Sequence, residues 1–207
     1  MSEPTPTSSS PISKEDRRGL DEQEGIRLGV AAVTLAWANI ENYLAMLLAR
    51  IIRDEGSAIA SAIYFTPTGT ALRIKVVDRA LRSMAAGSAV EVLLLAKWKP
   101  LRTELDNLWQ KRNEVAHGQL LIVGGSDGSN SAKLITSPAL KFAYHEMESL
   151  LESVKIPGLG ASELKNSAIE MKRVGRQIRE FADCVMLLQQ GDICTLRKRL
   201  VEEVREN

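Results

Sequence analysis

The sequence predicts an all-α fold: a helical bundle carrying a small β-hairpin or loop insert. Three observations predict it. Apolar residues recur at three- and four-residue steps through most of the 207-residue chain, which is the spacing that lines one face of an α-helix. Glycines, prolines and capping residues cut that pattern into helix-sized lengths. Only between Gln119 and Thr136 does the period change, to two short strand-like runs around the turn-forming GGSDGSNS.

Taken in order, residues 1–13 are rich in Ser, Thr and Pro and read as a disordered tail. Ser13-Lys-Glu-Asp16 resembles a capping box, with a short helix expected up to about Gly25. A long helix is expected next, because Val33, Trp37, Ile40, Leu44, Leu47, Leu48 and Ile51 form one broad apolar stripe until Glu55-Gly56. A short helix over Ser57–Phe65 is broken by Thr66-Pro-Thr-Gly69, and another runs from Thr70 to Met84 before Gly87. Ser88-Ala-Val-Glu91 reads as the capping box of the following helix. Pro100 either kinks that helix or opens a new one. The period then continues through Leu101, Leu105, Leu108, Arg112 and Val115 to Gly118. Strands are expected over Gln119–Val123 and Ala132–Thr136, and helices over Tyr144–Val154 and Ser162–Gln190, with a shorter one after Gly191. The domain division is therefore a tail at 1–13, a helical domain at 14–195 and a helical or frayed tail at 196–207.

Composition excludes several classes of function. With 44% hydrophobic and 26% charged residues and a net charge of +1, no whole-protein attraction to nucleic acid or membrane is expected, so such binding must come from a local patch. Aromatics at 4% are too few for a wide base-stacking platform. Two cysteines, Cys184 and Cys194, without a CxxC or a histidine-rich run give no zinc signature. They read as packed thiols in a reduced, cytoplasmic setting. The N-terminus lacks a secretory pattern. The most apolar helix contains Asn39, Glu41, Asn42 and Arg50, which argues against a membrane span. No cofactor and no metal is expected.

Some motifs read as ordinary structure. Gly124-Gly-Ser-Asp-Gly128 matches a GxSxG string, but no helix follows to form a nucleophile elbow, so it reads as a flexible turn. His145 is followed by Glu146 and Glu148 and is expected to be exposed. Two basic stripes stand at helical spacing, Lys75–Arg79–Arg82 and Lys172–Arg176–Arg179. With Asp78, Glu170 and Glu180 nearby they read first as solvated faces, although either can guide a phosphate backbone.

The stretch KRNEVAHG, Lys111 to Gly118, is where chemistry concentrates. Asn113 and His117 are four apart and share a helix face, with Arg112 adjacent. An imidazole that gives and takes a proton near neutrality, beside a guanidinium that grips phosphate, suits phosphodiester cleavage. No carboxylate cluster accompanies them, which points to a metal-independent route in which the RNA 2′-hydroxyl attacks the adjacent phosphorus. The competing reading is structural: a histidine capping the last helical carbonyls and an arginine paired with Glu114 or Asp106.

Arg112-Asn113-Glu-Val-Ala-His117 also resembles the R-x4-6-H motif of the HEPN superfamily. WANIENYLAMLL in an early helix and TALRIKVVDRAL in a later one agree with it, so the resemblance spans about Ile26 to Gln190. It implies a four- or five-helix bundle that dimerises around the motif helices and brings two arginine–histidine pairs into one cleft. It also implies endoribonuclease activity, often in toxins or antiviral defence, with RNA as substrate and a neutralising antitoxin protein as a partner. In these roles His117 is the acid–base group, Arg112 holds the scissile phosphate, Asn113 positions it, and Glu41 is a weaker candidate for orienting the cluster. Some members with this fold act only as binding or assembly modules.

Overall fold

The computed structural model describes residues 14–87, 90–124, 130–135, 158–196 and 198. Its elements are α1 (Lys14–Ile52), α2 (Ala58–Phe65), α3 (Thr70–Ala85), α4 (Glu91–Ala116), β1 (Gln119–Gly124), β2 (Asn130–Ile135) and α5 (Ala161–Gln189). The fold is mostly helical with one small two-stranded sheet, as the periodicity predicts. The N-terminal tail with Ser13, residues 125–129 of the GxSxG string, the helix expected at Tyr144–Val154 with His145, and 199–207 lie outside the described residues.

α1 departs from expectation. Instead of a short helix ending near Gly25 and a second one after it, the chain forms one 39-residue helix. Gly25 and Gly29 do not break it, because they serve packing. A Cβ on Gly25 would lie 3.0 Å from Ala161 Cβ, and one on Gly29 would lie 2.7 Å from Leu164 Cβ. Small residues one turn apart let α5 approach the α1 backbone closely, and a close interhelical seam outweighs the roughly 1 kcal/mol propensity cost of each glycine.

Further along the seam Gly175 meets Tyr43 and Ile40, and Gln189 Nε2 donates to the carbonyls of Arg50 and Ile51. Residue numbers rise together on both sides, so α1 and α5 run parallel. Gln189 thereby adds a side-chain donor to carbonyls in the last turn of α1, where regular i+4 donors run out. α1 stops at Ile52 rather than at Glu55-Gly56: Arg53 takes a left-handed φ of 60° and Asp54 N–H returns to Ala49 O at 2.9 Å, a helix-closing turn that asparagine or glycine usually supplies.

α4 runs antiparallel to α5. Trp98 stacks on Phe181 with ring centroids 5.5 Å apart, Glu104 accepts from Arg173 at 2.8 Å, and Lys111 donates to Glu170 at 2.8 Å. The helix is continuous through Pro100, which is exposed. Its start also differs from expectation. The helix opens at Glu91 after Val90 with no side-chain cap, and the Glu91 carboxylate reaches back to Gly87 N–H at 2.9 Å. Ser88 of the expected capping box lies outside the described residues. α3 braces α4 through Asp78, which accepts from Trp98 Nε1 at 2.8 Å and from Arg82 Nε at 3.0 Å. Burial pushes the Asp78 carboxyl up, but the hydrogen bonds from Arg82 and Trp98 outweigh it and hold it below the ordinary carboxylate range.

Trp37, Ile40, Leu44, Leu47 and Leu48 of α1 are buried at the centre, with Ile74, Val77, Leu81, Leu94, Leu105, Val174 and Ile178 around them. The segment Leu20–Ile52 is long and apolar enough to cross a membrane by length and composition. One face of it lines the bundle core, whereas Leu20, Leu28 and Leu35 are exposed. Leu196, the first residue of the expected C-terminal tail, is buried in the same core. Cys184 is packed inside as expected, whereas Cys194, in the segment after the left-handed Gly191, is exposed.

The strands form an antiparallel hairpin in register Gln119↔Ile135 through Gly124↔Asn130. It is anchored on three sides. Leu134 exchanges backbone hydrogen bonds with Leu159 at 3.0 and 2.9 Å, Ala132 N–H donates to the Glu22 carboxylate of α1 at 3.1 Å, and Leu134 packs on Gly118.

Candidate active site

The motif occupies the last turn of α4. Gly118 follows the helix as the sequence expects, for a steric reason: a Cβ there would meet Leu134 Cγ at 2.8 Å. The α4 end is thus clamped between its own last turn and the hairpin. His117 is the C-cap, with its N–H bonded to Asn113 O at 3.1 Å.

Arg112 and Asn113 are brought together directly, Arg112 Nη1 donating to Asn113 Oδ1 at 3.2 Å. That contact leaves the Asn113 amide N–H groups as donors pointing elsewhere. Both residues are half-buried, while His117 is exposed. Neither pairing of the structural reading forms. Asp106 is taken by Arg102 of its own helix, Glu114 is exposed, and among the described residues no carboxylate lies within ion-pair distance of Arg112. The imidazole of His117 likewise has no hydrogen-bond partner there. An uncompensated guanidinium, a donor amide and an uncommitted imidazole therefore stand within six residues at one helix end.

Direction follows from helix geometry. Lys111 faces α5 through Glu170. At 100° per residue, Asn113 lies roughly 200° and His117 roughly 240° round from it. The pair is turned away from the α4–α5 seam, with the half-buried Trp109 at a neighbouring position of that helix.

Glu41 is not part of this group. Its carboxylate accepts from Arg73 Nη1 at 2.9 Å and from Thr70 Oγ1 at 3.5 Å. Arg73 also donates to Pro67 O at 3.0 Å and lies 5.3 Å from the centre of the Phe65 ring. Along α1, Glu41 is twelve residues beyond Gly29, about 18 Å of helix. Gly29 is level with the start of α5, where the hairpin clamps Gly118. Glu41 instead ties α1 to the α2–α3 connection, beside the buried Tyr64 hydroxyl. Burial, reinforced by the Glu41 charge and opposed by Arg73, keeps that hydroxyl protonated far above its ordinary range.

The reading of the sequence missed one arrangement. Glu170, expected to balance the basic stripe on its own helix, reaches across to Lys111 instead. Lys172 and Arg176 are left exposed, with no acidic partner among the described residues. Both line a groove between α1 and α5 with a volume of about 480 Å³. The spacing of Lys111 and Glu170 in the sequence carries no sign of their pairing, since 59 residues separate them. Among the described residues no three His, Cys, Asp or Glu side chains converge as a metal-binding group.

A comparison of the chain with known protein families, curated proteins and solved structures finds no match.

Proposed function

We propose that the protein is a metal-independent endoribonuclease of HEPN type that works as a homodimer. The observation that carries this reading is the end of α4, where among the described residues the Arg112 guanidinium meets no carboxylate, only the Asn113 amide oxygen, and the His117 imidazole meets no hydrogen-bond partner. An unpaired half-buried cation is costly to keep unless it meets an anion from outside, and a scissile phosphate is such an anion.

In the proposed reaction the RNA 2′-oxygen attacks the adjacent phosphorus while a His117 imidazole removes its proton. The bond from phosphorus to the 5′-oxygen breaks, and that oxygen takes a proton from an imidazolium. The products are a 2′,3′-cyclic phosphate and a 5′-hydroxyl end. Arg112 neutralises the charge that builds on the non-bridging oxygens, and the Asn113 amide hydrogen-bonds to one of them. One protomer supplies one His117. A two-fold axis beside α4 supplies the second, so that base and acid stand on opposite sides of the phosphate. A toxin or defence role, held in check by an antitoxin protein, follows from the same reading. It predicts that expression slows growth and that His117→Ala relieves the effect.

The motif's single imidazole, His117, in each protomer also favours a second reading, a non-catalytic dimeric module that binds a protein, nucleotide or RNA. Incubation with mixed structured and single-stranded RNA in excess EDTA separates the two. Cleavage to cyclic-phosphate ends by the wild type, lost in His117→Ala and Arg112→Ala, supports the nuclease. Folded dimers of all three that retain RNA uncut support the binding module.

A further inference from the structure

The groove between α1 and α5 is lined by Asn39 and Tyr43 on one side and by Ile169, Lys172 and Arg176 on the other. Gly175 forms part of its floor and lets the Tyr43 ring lie against the α5 backbone, since a Cβ there would sit 3.4 Å from Tyr43 Cδ2 and Cε2. Lys172 and Arg176 are one helical turn apart, which puts their Cβ atoms about 6 Å from each other. That spacing matches successive phosphates of a single strand. Among the described residues no carboxylate pairs with either cation, and Glu170 is committed to Lys111 on the opposite side of α5. The tyrosine ring offers an apolar surface for a base, and the Asn39 amide offers both a donor and an acceptor.

We propose that this groove holds a single-stranded RNA segment, with the backbone on Lys172 and Arg176 and a base against Tyr43. The proposal takes RNA as ligand from the reading above and adds a second contact region, separate from the cleavage motif. On α5, Lys172 lies roughly 200° round from Glu170, the residue that faces α4, so groove and motif open on different sides of the α4–α5 seam. A strand seated in the groove therefore reaches a cleavage motif only by running round the bundle or by entering the site of a second copy.

The test is fluorescence anisotropy of a labelled 12-nucleotide single-stranded RNA in EDTA, titrated at several salt concentrations. All proteins carry His117→Ala so that the strand stays intact. The parent binds, and the added pair Lys172→Ala/Arg176→Ala weakens binding roughly 20-fold at about 0.1 M salt, with a log–log salt slope shallower by about 1.4, or about 0.7 per lost phosphate contact. The pair Lys75→Ala/Arg79→Ala, exposed on α3 and outside the groove, leaves affinity and slope near those of the parent. No RNA binding by the parent overturns the proposal. So does an unchanged slope in the groove variant, or an equal loss in the α3 variant, which marks a general charge effect. Groove binding without cleavage by the wild type sinks the nuclease reading and leaves the groove standing. Cleavage with an unaffected groove variant does the reverse.

Discussion

Gly29 of α1 and Leu164 of α5 stand so close that a methyl group on the glycine would lie 2.7 Å from the leucine Cβ. Both groups hang directly from backbone, so neither can swing aside, and the helices themselves must part. Gly29→Ala gains roughly 1 kcal/mol of helix propensity but incurs about 1–3 kcal/mol of overpacking. The expected outcome is a net loss of up to about 2 kcal/mol in urea unfolding. Gly56→Ala is the control: nothing lies within 4 Å of a Cβ there and the backbone is not left-handed, so it should be neutral or slightly stabilising. A Gly29→Ala protein more stable than wild type would contradict the tight seam.

Asp78 gives stability a pH dependence of known sign. Its carboxyl is held below the ordinary range in the fold, mainly by hydrogen bonds from Arg82 and Trp98 against the opposing effect of burial. A depressed carboxylate contributes stability that is present above its unfolded pKa of about 3.9 and is lost as pH falls through the lower folded value. Acidification from about pH 5 to pH 2 should therefore loosen the Trp98 contact, read as a shift in tryptophan emission. In Asp78→Asn that part of the transition should be absent, with lower stability at neutral pH.

The Glu41–Arg73 pair predicts a separation of stability from activity. Both side chains are largely buried, at 17% and 19% exposure, so removing one partner strands the other in a poorly solvated site. Arg73→Ala and Glu41→Gln should each lower unfolding stability by about 1–3 kcal/mol. RNA cleavage per folded molecule should stay within about twofold of wild type, because the pair is remote from Arg112 and His117. A large loss of activity in a Glu41→Gln protein of unchanged stability would return Glu41 to the site.

The sequence and the structure agree most where local chemistry decides the outcome. The periodic stripe from Val33 to Ile51, the Gly87 stop, the Gln119–Ile135 hairpin and the 161–189 helix all follow from side-chain spacing and turn residues within a few positions. They part where long-range packing decides. Gly25 looks like a break because nothing nearby in the chain reveals Ala161, against which it packs. The helix over Glu91–Ala116 runs through Pro100 because Trp98, Leu101 and Leu105 are buried on either side of it. The site shows the same division. Arg112, Asn113 and His117 share a helix end because they are near in sequence. The partners that do or do not reach them, Asp106 with Arg102 and Glu170 with Lys111, depend on rotamers and on the α4–α5 seam. Only the resemblance associates Glu41 with the motif, and Arg73, 32 residues later in the chain, pairs with its carboxylate.

A composite site predicts a distinctive response to mixing. If catalysis needs the His117 of both protomers, a heterodimer of wild type and His117→Ala is inactive in the single cleft it forms. Wild type and His117→Ala chains co-expressed in equal amounts and allowed to pair at random should give about one quarter of the activity of the same total wild-type protein, since only one dimer in about four carries two imidazoles. A site complete within each protomer would give about one half instead. The assay is the initial rate of RNA cleavage in EDTA, with tags on the two chains so that the heterodimer can be purified and measured alone. An inactive heterodimer places the two imidazoles in one cleft. A heterodimer with half the wild-type rate confines the reaction to a single α4 end, where Arg112 and Asn113 would have to supply with one His117 what a second was expected to bring.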